Sequence, residues 1–164
     1  MLSIDSKLIK RLQKDGRVSW AALGKLVDLT PPAVADRVRR LEERGVIRGY
    51  SAIVDPLQVG AKLTAIVALT LDRPKDRKPF LDLVQRLPEI QECHHVAGDH
   101  DYLLKIRCAD AADLERIISD ELKSLPGVVR THSTIVLGTA KETTALVLRL
   151  TDEKPARAER GARE

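Results

Sequence analysis

The sequence repeats itself once, and that repeat dictates most of what its second half can fold into. Leu87, Pro88, Glu89, Ile90 and His94 return 38 residues later as Leu125, Pro126, Gly127, Val128 and His132, so the pattern L-P-x-[IV]-x-x-x-H occurs twice. Two copies are too few for a solenoid. Each copy ends an amphipathic helical pattern (Phe80, Leu83, Val84, Leu87; then Leu114, Ile117, Ile118, Leu122) and leads into a strand. Each helix in turn follows a strand, over 65–71 and 102–108, and Gly98, Asp99, His100 and Asp101 make a hairpin turn between the copies. The order is β-α-β-β-α-β, a ferredoxin-like sandwich, with Asp110 capping the second helix and Asp113 adding negative charge near its positive end. Two helices cover only one face of a four-stranded sheet. Apolar residues on the other face, in 66–71 and 103–106, predict burial by a second subunit and hence an obligate homodimer.

Ahead of this half lie three short helical patterns. Ile4, Leu8, Ile9 and Leu12 recur at helical spacing, which predicts a helix over about 5–15 ended by Gly16. Ser19 stands as N-cap before Ala22, Leu23, Leu26 and Val27, a second helix ending near Asp28. Thr30 followed by Pro31 starts a third, because Pro at the first helical position loses only a hydrogen bond it cannot make. That helix runs to about Arg44, with Gly45 as its stop. Val34, Val38 and Leu41 form its core face, each worth roughly 1.5–3 kcal/mol on burial. Arg37, Arg39, Arg40 and Arg44 crowd the exposed side, and guanidinium groups suit phosphates and base edges. The small Gly24, the tight turn over 28–30 and the buried Val34 give the spacing of a helix-turn-helix. Residues 46–54 predict a strand, turn and strand, a wing whose Arg48 reaches the phosphate backbone and whose Tyr50 serves either that contact or packing.

Charge supports that placement. Residues 1–60 hold 11 basic and 7 acidic side chains, while 61–164 hold 17 of each, so the whole surplus of +4 belongs to the first part. A bare basic face is often only solvated; two caps, a short turn and charge confined to one domain argue against that here. With four aromatic residues, Trp20, Tyr50, Phe80 and Tyr102, the chain offers no platform for stacking single-stranded bases. The longest nearly apolar run, 63–71, is far short of the roughly 20 residues of a spanning helix, and the start shows no export signal, which predicts a cytoplasmic protein with no membrane partner. Asp55, Pro56 and Gly60 mark a break. The expected domains are 1–60, 61–150 and a disordered tail over 151–164.

The blocks D-x-x-L-I-x-x-L-Q-K-D-G-R, L-T-P-P-A-V-x-x-R-V-R-R-L-E-E-R-G-V-I-R-G-Y and I-Q-E-C-H-x-V-x-G-D-x-D-Y-L-L-K resemble the Lrp/AsnC family, the feast/famine regulators, over about residues 2–150. The resemblance implies an α+β chain with an N-terminal winged helix-turn-helix and a C-terminal ferredoxin-like βαββαβ sandwich. It implies a sequence-specific, double-stranded DNA-binding transcriptional regulator that forms dimers, then tetramers or octamers, and senses an amino acid between sandwich domains. The DNA-contacting set is Ser19, Thr30, Pro32, Ala33, Arg37, Arg39, Arg40, Arg44, Arg48 and Tyr50. Gly98, Asp99, Asp101 and Tyr102 fall in the effector loop, facing Thr131, Ser133 and Thr134 on the last strand. Asp101 offers an acceptor for an ammonium group, and the backbone at Gly98 offers donors for a carboxylate. Asp28 replaces the glycine common in the turn, which Asp tolerates in a left-handed conformation. His100 stands where the family is often aromatic.

Other chemistries find less footing. His94, His95 and His132 lie on strands expected to be near each other and, with His100 or Cys93, are candidate ligands; adjacent strand residues point to opposite faces, so no metal site is expected. Cys93 and Cys108 are expected as reduced thiols on neighbouring hairpin strands. Nucleophile elbows, phosphate-binding glycine loops and H-E-x-x-H are missing, so neither catalysis nor a cofactor is expected. Two alternatives remain: an amino-acid-sensing module without DNA binding, and an enzyme like the siroheme decarboxylases, which share this architecture but leave the arginine-rich helix without a purpose.

Overall fold

The computed structural model describes residues 3–148, so the expected tail over 151–164 lies outside the described residues. The described chain divides into two compact units: residues 3–52 with 142–148, and residues 53–141. The expected boundary at residue 60 thus lies eight residues into the second unit, and 142–148, expected in the sandwich, clusters with the helical unit.

The first unit is built on three helices: α1 (Ile4–Leu12), α2 (Trp20–Val27) and α3 (Pro31–Glu43). Ser3 caps α1 by accepting from the Ser6 N–H at 3.2 Å, and Ser19 caps α2 by accepting from the Ala22 N–H at the same distance. Helix α1 is shorter than its periodicity predicts, because the chain tightens after Leu12 and Lys14 N–H bonds the Arg11 carbonyl at 3.1 Å. Asp28 closes α2 in the left-handed region at φ 56°, as its small polar side chain allows. Thr30 occupies the N-cap of α3 but makes no side-chain cap bond; the two prolines that follow leave few N–H groups to cap. Leu8, Leu12, Leu23, Val27, Val34 and Val38 form the core of this unit.

The expected wing is not formed. The N–H groups of Val46 and Ile47 both donate back to the Leu41 carbonyl, at 2.9 and 3.2 Å, and finish the end of α3. Ile47 packs on the helical core, and 48–54 continues with no strand pairing among the described residues. Two residues on either side of a glycine are too few to build a ladder once their donors are spent on a helix end.

The second unit is the predicted βαββαβ sandwich. It contains β1 (Leu63–Leu71), a short 3₁₀ turn (Pro74–Asp76), α4 (Arg77–Arg86), β2 (Ile90–His95), β3 (Tyr102–Cys108), α5 (Ala111–Arg116) and β4 (Val128–Ile135). A turn of π-helix, Ile117–Leu122, extends α5. The sheet order is β2-β3-β1-β4, with every neighbouring pair antiparallel. Alternation sends Ala65, Val67 and Leu69 of β1 and Tyr102, Leu104 and Ile106 of β3 toward the helices, where Phe80, Leu83, Ile117 and Leu122 complete the core. The Asp110 carboxylate caps α5 through the Asp113 N–H at 2.9 Å. Asp113 in turn accepts from the Ala109 N–H and the Arg116 guanidinium, which hold its carboxyl below the usual range.

The face turned away from the helices is less apolar than expected. Ile66, Ala68 and Leu103 occupy its middle, but Lys105 and Glu92 form an ion pair at 3.0 Å beside them, and His94 bonds the other Glu92 oxygen at 3.2 Å. Those two partners hold the Glu92 carboxyl low. His94 and His132 share a row across this face, separated by Leu103 and Ala68. They stand on opposite edge strands, three inter-strand steps or roughly 14 Å apart, so the expectation that their strands are near each other fails. Among the described residues no three His, Cys, Asp or Glu side chains converge on a point. Cys93 and Cys108 lie on neighbouring strands as free thiols whose burial pushes their pKa up.

Candidate functional site

The predicted DNA-contacting surface is assembled on α3 and its approaches. Val34, Val38 and Leu41 are buried as the wheel predicts, which turns two polar stripes outward. One stripe reads Ala33, Arg37, Arg40, Arg44; the other reads Pro32, Asp36, Arg39, Glu43. Every member of the predicted set on α2, α3 and the following segment is exposed, Arg40 by 70%. The acidic neighbours are what composition alone conceals. Arg37 bonds Asp5 of α1, and Asp36 takes Arg39 on one oxygen and Arg40 on the other, the latter at 2.6 Å. Arg39 also faces Glu43 at 3.6 Å. Among the described residues Arg44 and Arg48 have no carboxylate partner. These ion pairs are exposed and each is worth little in water, so they orient the guanidinium groups without locking them.

Two residues of the set are committed to the fold. The Ser19 hydroxyl serves as the α2 cap, and Tyr50 donates its phenol proton to Glu42 at 2.9 Å. Partial burial, the bond to Glu42 and the Glu42 charge together push the Tyr50 pKa up to about 12. Gly24 is needed where backbone approaches backbone: a Cβ there would stand 2.4 Å from the Leu29 carbonyl oxygen, inside the turn that leads to α3.

The predicted effector residues gather at one end of the sheet, only in part. Asp101 and Tyr102 line a cleft of about 340 Å³, together with Leu71, Asp72, Arg73 and Pro74 at the exit of β1, Arg77 at the start of α4, and His95 at the end of β2. Asp101 is pinned there by the backbone of β1: one carboxylate oxygen accepts from the Leu71 N–H at 2.7 Å, and the Asp101 N–H donates to the Leu69 carbonyl at 3.0 Å. Tyr102 packs at a tilt against Phe80, ring centroids 4.7 Å apart, and against His95 at 5.1 Å. Its hydroxyl is buried without a hydrogen-bond partner. Gly98 and Asp99 are exposed and do not line the cleft, and nothing lies within 4 Å of where a Gly98 Cβ would stand. Thr131 and Ser133 sit opposite Leu69 and Val67 and share the helix-side face, whereas Thr134, opposite Ile66, lies on the other face. The three therefore do not form one surface. His100 bonds the Thr70 hydroxyl at 3.2 Å.

Sequence reasoning missed Arg73, Arg77 and His95 as cleft residues. The signal was the basic run R-P-K-D-R-K at 73–78, the densest in a half of the chain whose net charge is zero.

Known proteins agree with both halves. Residues 3–42 match the family model for the AsnC-type helix-turn-helix domain, and residues 64–146 match that for the Lrp/AsnC ligand binding domain. The leucine-responsive regulatory protein of Escherichia coli K12 is 43% identical over 148 residues, 89% of this chain and 90% of that protein. Among solved structures, a transcriptional regulator from Neisseria meningitidis in complex with L-methionine superposes with a TM-score of 0.86 at 31% identity, covering 91% of this chain and 97% of that one. The feast or famine regulatory protein of M. tuberculosis complexed with L-methionine gives 0.81 at 36% identity, over 88% of this chain and 97% of that one. With a reading head and a ligand-binding sandwich matched in order along one polypeptide, the chain belongs to the Lrp/AsnC family of DNA-binding transcriptional regulators.

Proposed function

We propose that this regulator docks α3 in the major groove of duplex DNA and is controlled by an amino acid bound at the Asp101 end of the sandwich. The observation that carries the first part is the geometry of α3: an aliphatic underside fully buried and two outward stripes carrying four arginines. Ala33 and Pro32 are small at the helix start, where close approach to base edges is needed, and the Thr30 hydroxyl is not spent on a cap. Arg44 and Arg48 supply cations for flanking phosphates. The neighbours' L-methionine supports an amino-acid effector for this chain, and Asp101 supplies an anionic group for its ammonium.

Pairing of two copies through the helix-free face of the sheet buries the exposed Ile66 and Leu103, and a dimer presents two α3 helices to half-sites about one helical turn, roughly 34–36 Å, or a multiple apart. Further assembly to tetramers or octamers builds a pocket between sandwiches, and a ligand held there favours the arrangement that contains it. The enzymatic alternative relies on histidines, and His94 and His132 stand on opposite edge strands of the sheet, so those two do not share a site. No helix among the described residues is long and apolar enough to cross a membrane.

The test is a titration of promoter-bearing duplex at several salt concentrations, with and without a panel of amino acids. Affinity falls linearly in log salt with a slope near −0.9 per neutralised phosphate. Arg40→Ala weakens binding by about 1–3 kcal/mol where Arg40 reads a base. Arg37→Ala must be read beside Asp5→Ala, because Arg37 also ties α3 to α1; equal losses in both would assign Arg37 to the fold. A salt-independent interaction, or unchanged affinity in every arginine variant, removes α3 from the interface.

A further inference from the structure

The charges lining the cleft do not balance once their internal partners are counted. Arg73 is paired with Asp72 at 3.0 Å, and Asp101 has one oxygen bound by the Leu71 N–H at 2.7 Å. Arg77 has no carboxylate partner among the described residues, although its neighbour Lys78, outside the cleft, is paired with Asp82 at 2.7 Å. Beside it lie the exposed His95 ring and Tyr102, whose hydroxyl is 97% buried with its residue and bonded to nothing. A buried phenol without a partner is uncommon and calls for a physical reason. In donors and acceptors, the cleft offers a whole guanidinium, an imidazole and a phenol against the spare oxygens of two engaged carboxylates. Its volume of about 340 Å³ is at the small end of ligand pockets. A neutral aliphatic side chain would leave Arg77 to water and gain nothing from it.

We propose that the effector of this protein is an amino acid bearing a second carboxylate, its ammonium group at Asp101 and its side-chain carboxylate at Arg77. The proposal rests on the amino-acid reading above and narrows it to one ligand class. Guanidinium and carboxylate match as a two-point fork, which separates an acid from its amide of the same shape. His95 adds a second donor to the same group.

Calorimetric titration of the full chain with L-glutamate, L-aspartate, L-glutamine, L-asparagine, L-leucine and L-methionine tests this, in the wild type, in Arg77→Gln and in Lys78→Gln. The expected result is tenfold or greater preference for an acidic amino acid over its amide, lost in Arg77→Gln and kept in Lys78→Gln. Circular dichroism confirms that both exposed substitutions leave the fold intact. Tighter binding of leucine, methionine or an amide, unaffected by Arg77→Gln, overturns the acidic class and leaves the amino-acid reading standing. Binding of none of the six overturns both. Displacement of glutamate by an equal concentration of inorganic phosphate reveals a simple anion site and also overturns the proposal.

Discussion

Replacing Gly24 by alanine sets two known effects against each other. Alanine in a helix interior is favoured over glycine by about 1 kcal/mol, so propensity alone predicts a more stable protein. The added Cβ, however, falls 2.4 Å from the Leu29 carbonyl oxygen, where ordinary contact begins at 3.4 Å. The obstacle is backbone, so the turn itself must retreat by roughly 1 Å, at the cost of overpacking, typically about 1–3 kcal/mol. The same retreat loosens the bond from Leu29 N–H to the Gly24 carbonyl, now 3.0 Å, worth about 0.5–1.5 kcal/mol. The balance is a loss of about 1–3 kcal/mol, a fall in melting temperature of roughly 5–20 °C for a unit this small. Trp20, the single tryptophan, stands at the start of α2 and reports on this unit alone, so urea unfolding followed by its fluorescence measures the loss. Duplex affinity falls with it, since the displaced turn carries α3. Gly98→Ala is the control: it has open space around its Cβ and leaves stability unchanged or slightly raised. A Gly24→Ala midpoint equal to or above the wild type would show that the turn yields freely and refute the steric argument.

Three further outcomes follow from the ion pairs and hydrogen bonds. Tyr50→Phe removes an alkaline dependence: with the phenol raised from 10.0 to about 12 by burial and Glu42, its contribution is complete below pH 10 and lost toward pH 12, so denaturation curves of wild type and variant converge across that interval. Asp113→Asn acts at the opposite end: a carboxyl held low by the Ala109 N–H and Arg116 stabilises above its unfolded pKa and ceases to as pH falls through the folded one, so the variant's deficit in melting temperature shrinks on acidification and a pH-independent deficit contradicts the account. Asp36→Asn releases Arg40 to phosphates, while Arg39 keeps its contact with Glu43, which raises non-specific duplex affinity and steepens the log–log salt slope by up to about 0.9, one contact; an unaltered slope means the pair does not compete with DNA.

What was readable in the sequence was set by short-range periodicity. Strand β3 has the predicted bounds, Tyr102–Cys108, because inward Tyr102, Leu104, Ile106 and Cys108 alternate with outward Leu103, Lys105 and Arg107. The caps Ser19 and Asp110 were legible because a hydroxyl or carboxylate before an apolar repeat has one local use. Thr30 looked the same, but the two prolines after it remove the N–H groups a cap would satisfy. The wing was misread because Val46 and Ile47 carry strand-like side chains while their backbone donors are captured by Leu41, a competition that composition does not display. Long-range pairing was the other blind spot. Nothing local says that His94 and His132 occupy opposite sheet edges, that Asp5 reaches Arg37, or that Arg77 joins Asp101 in one cleft.

The residues that follow the sandwich return to the helical unit, where the Gln13 side-chain amide clasps Leu146 at both backbone groups: its oxygen accepts from the Leu146 N–H at 2.5 Å and its nitrogen donates to the Leu146 carbonyl at 3.3 Å. The partners are 133 positions apart. At ribosomal speeds of about 5–20 residues per second, Gln13 is synthesised roughly 7–27 s before Leu146. Helix trios pack far faster than that, so α1, α2 and α3 can meet while this amide is still hydrated, and the clasp closes over a trio that has already formed.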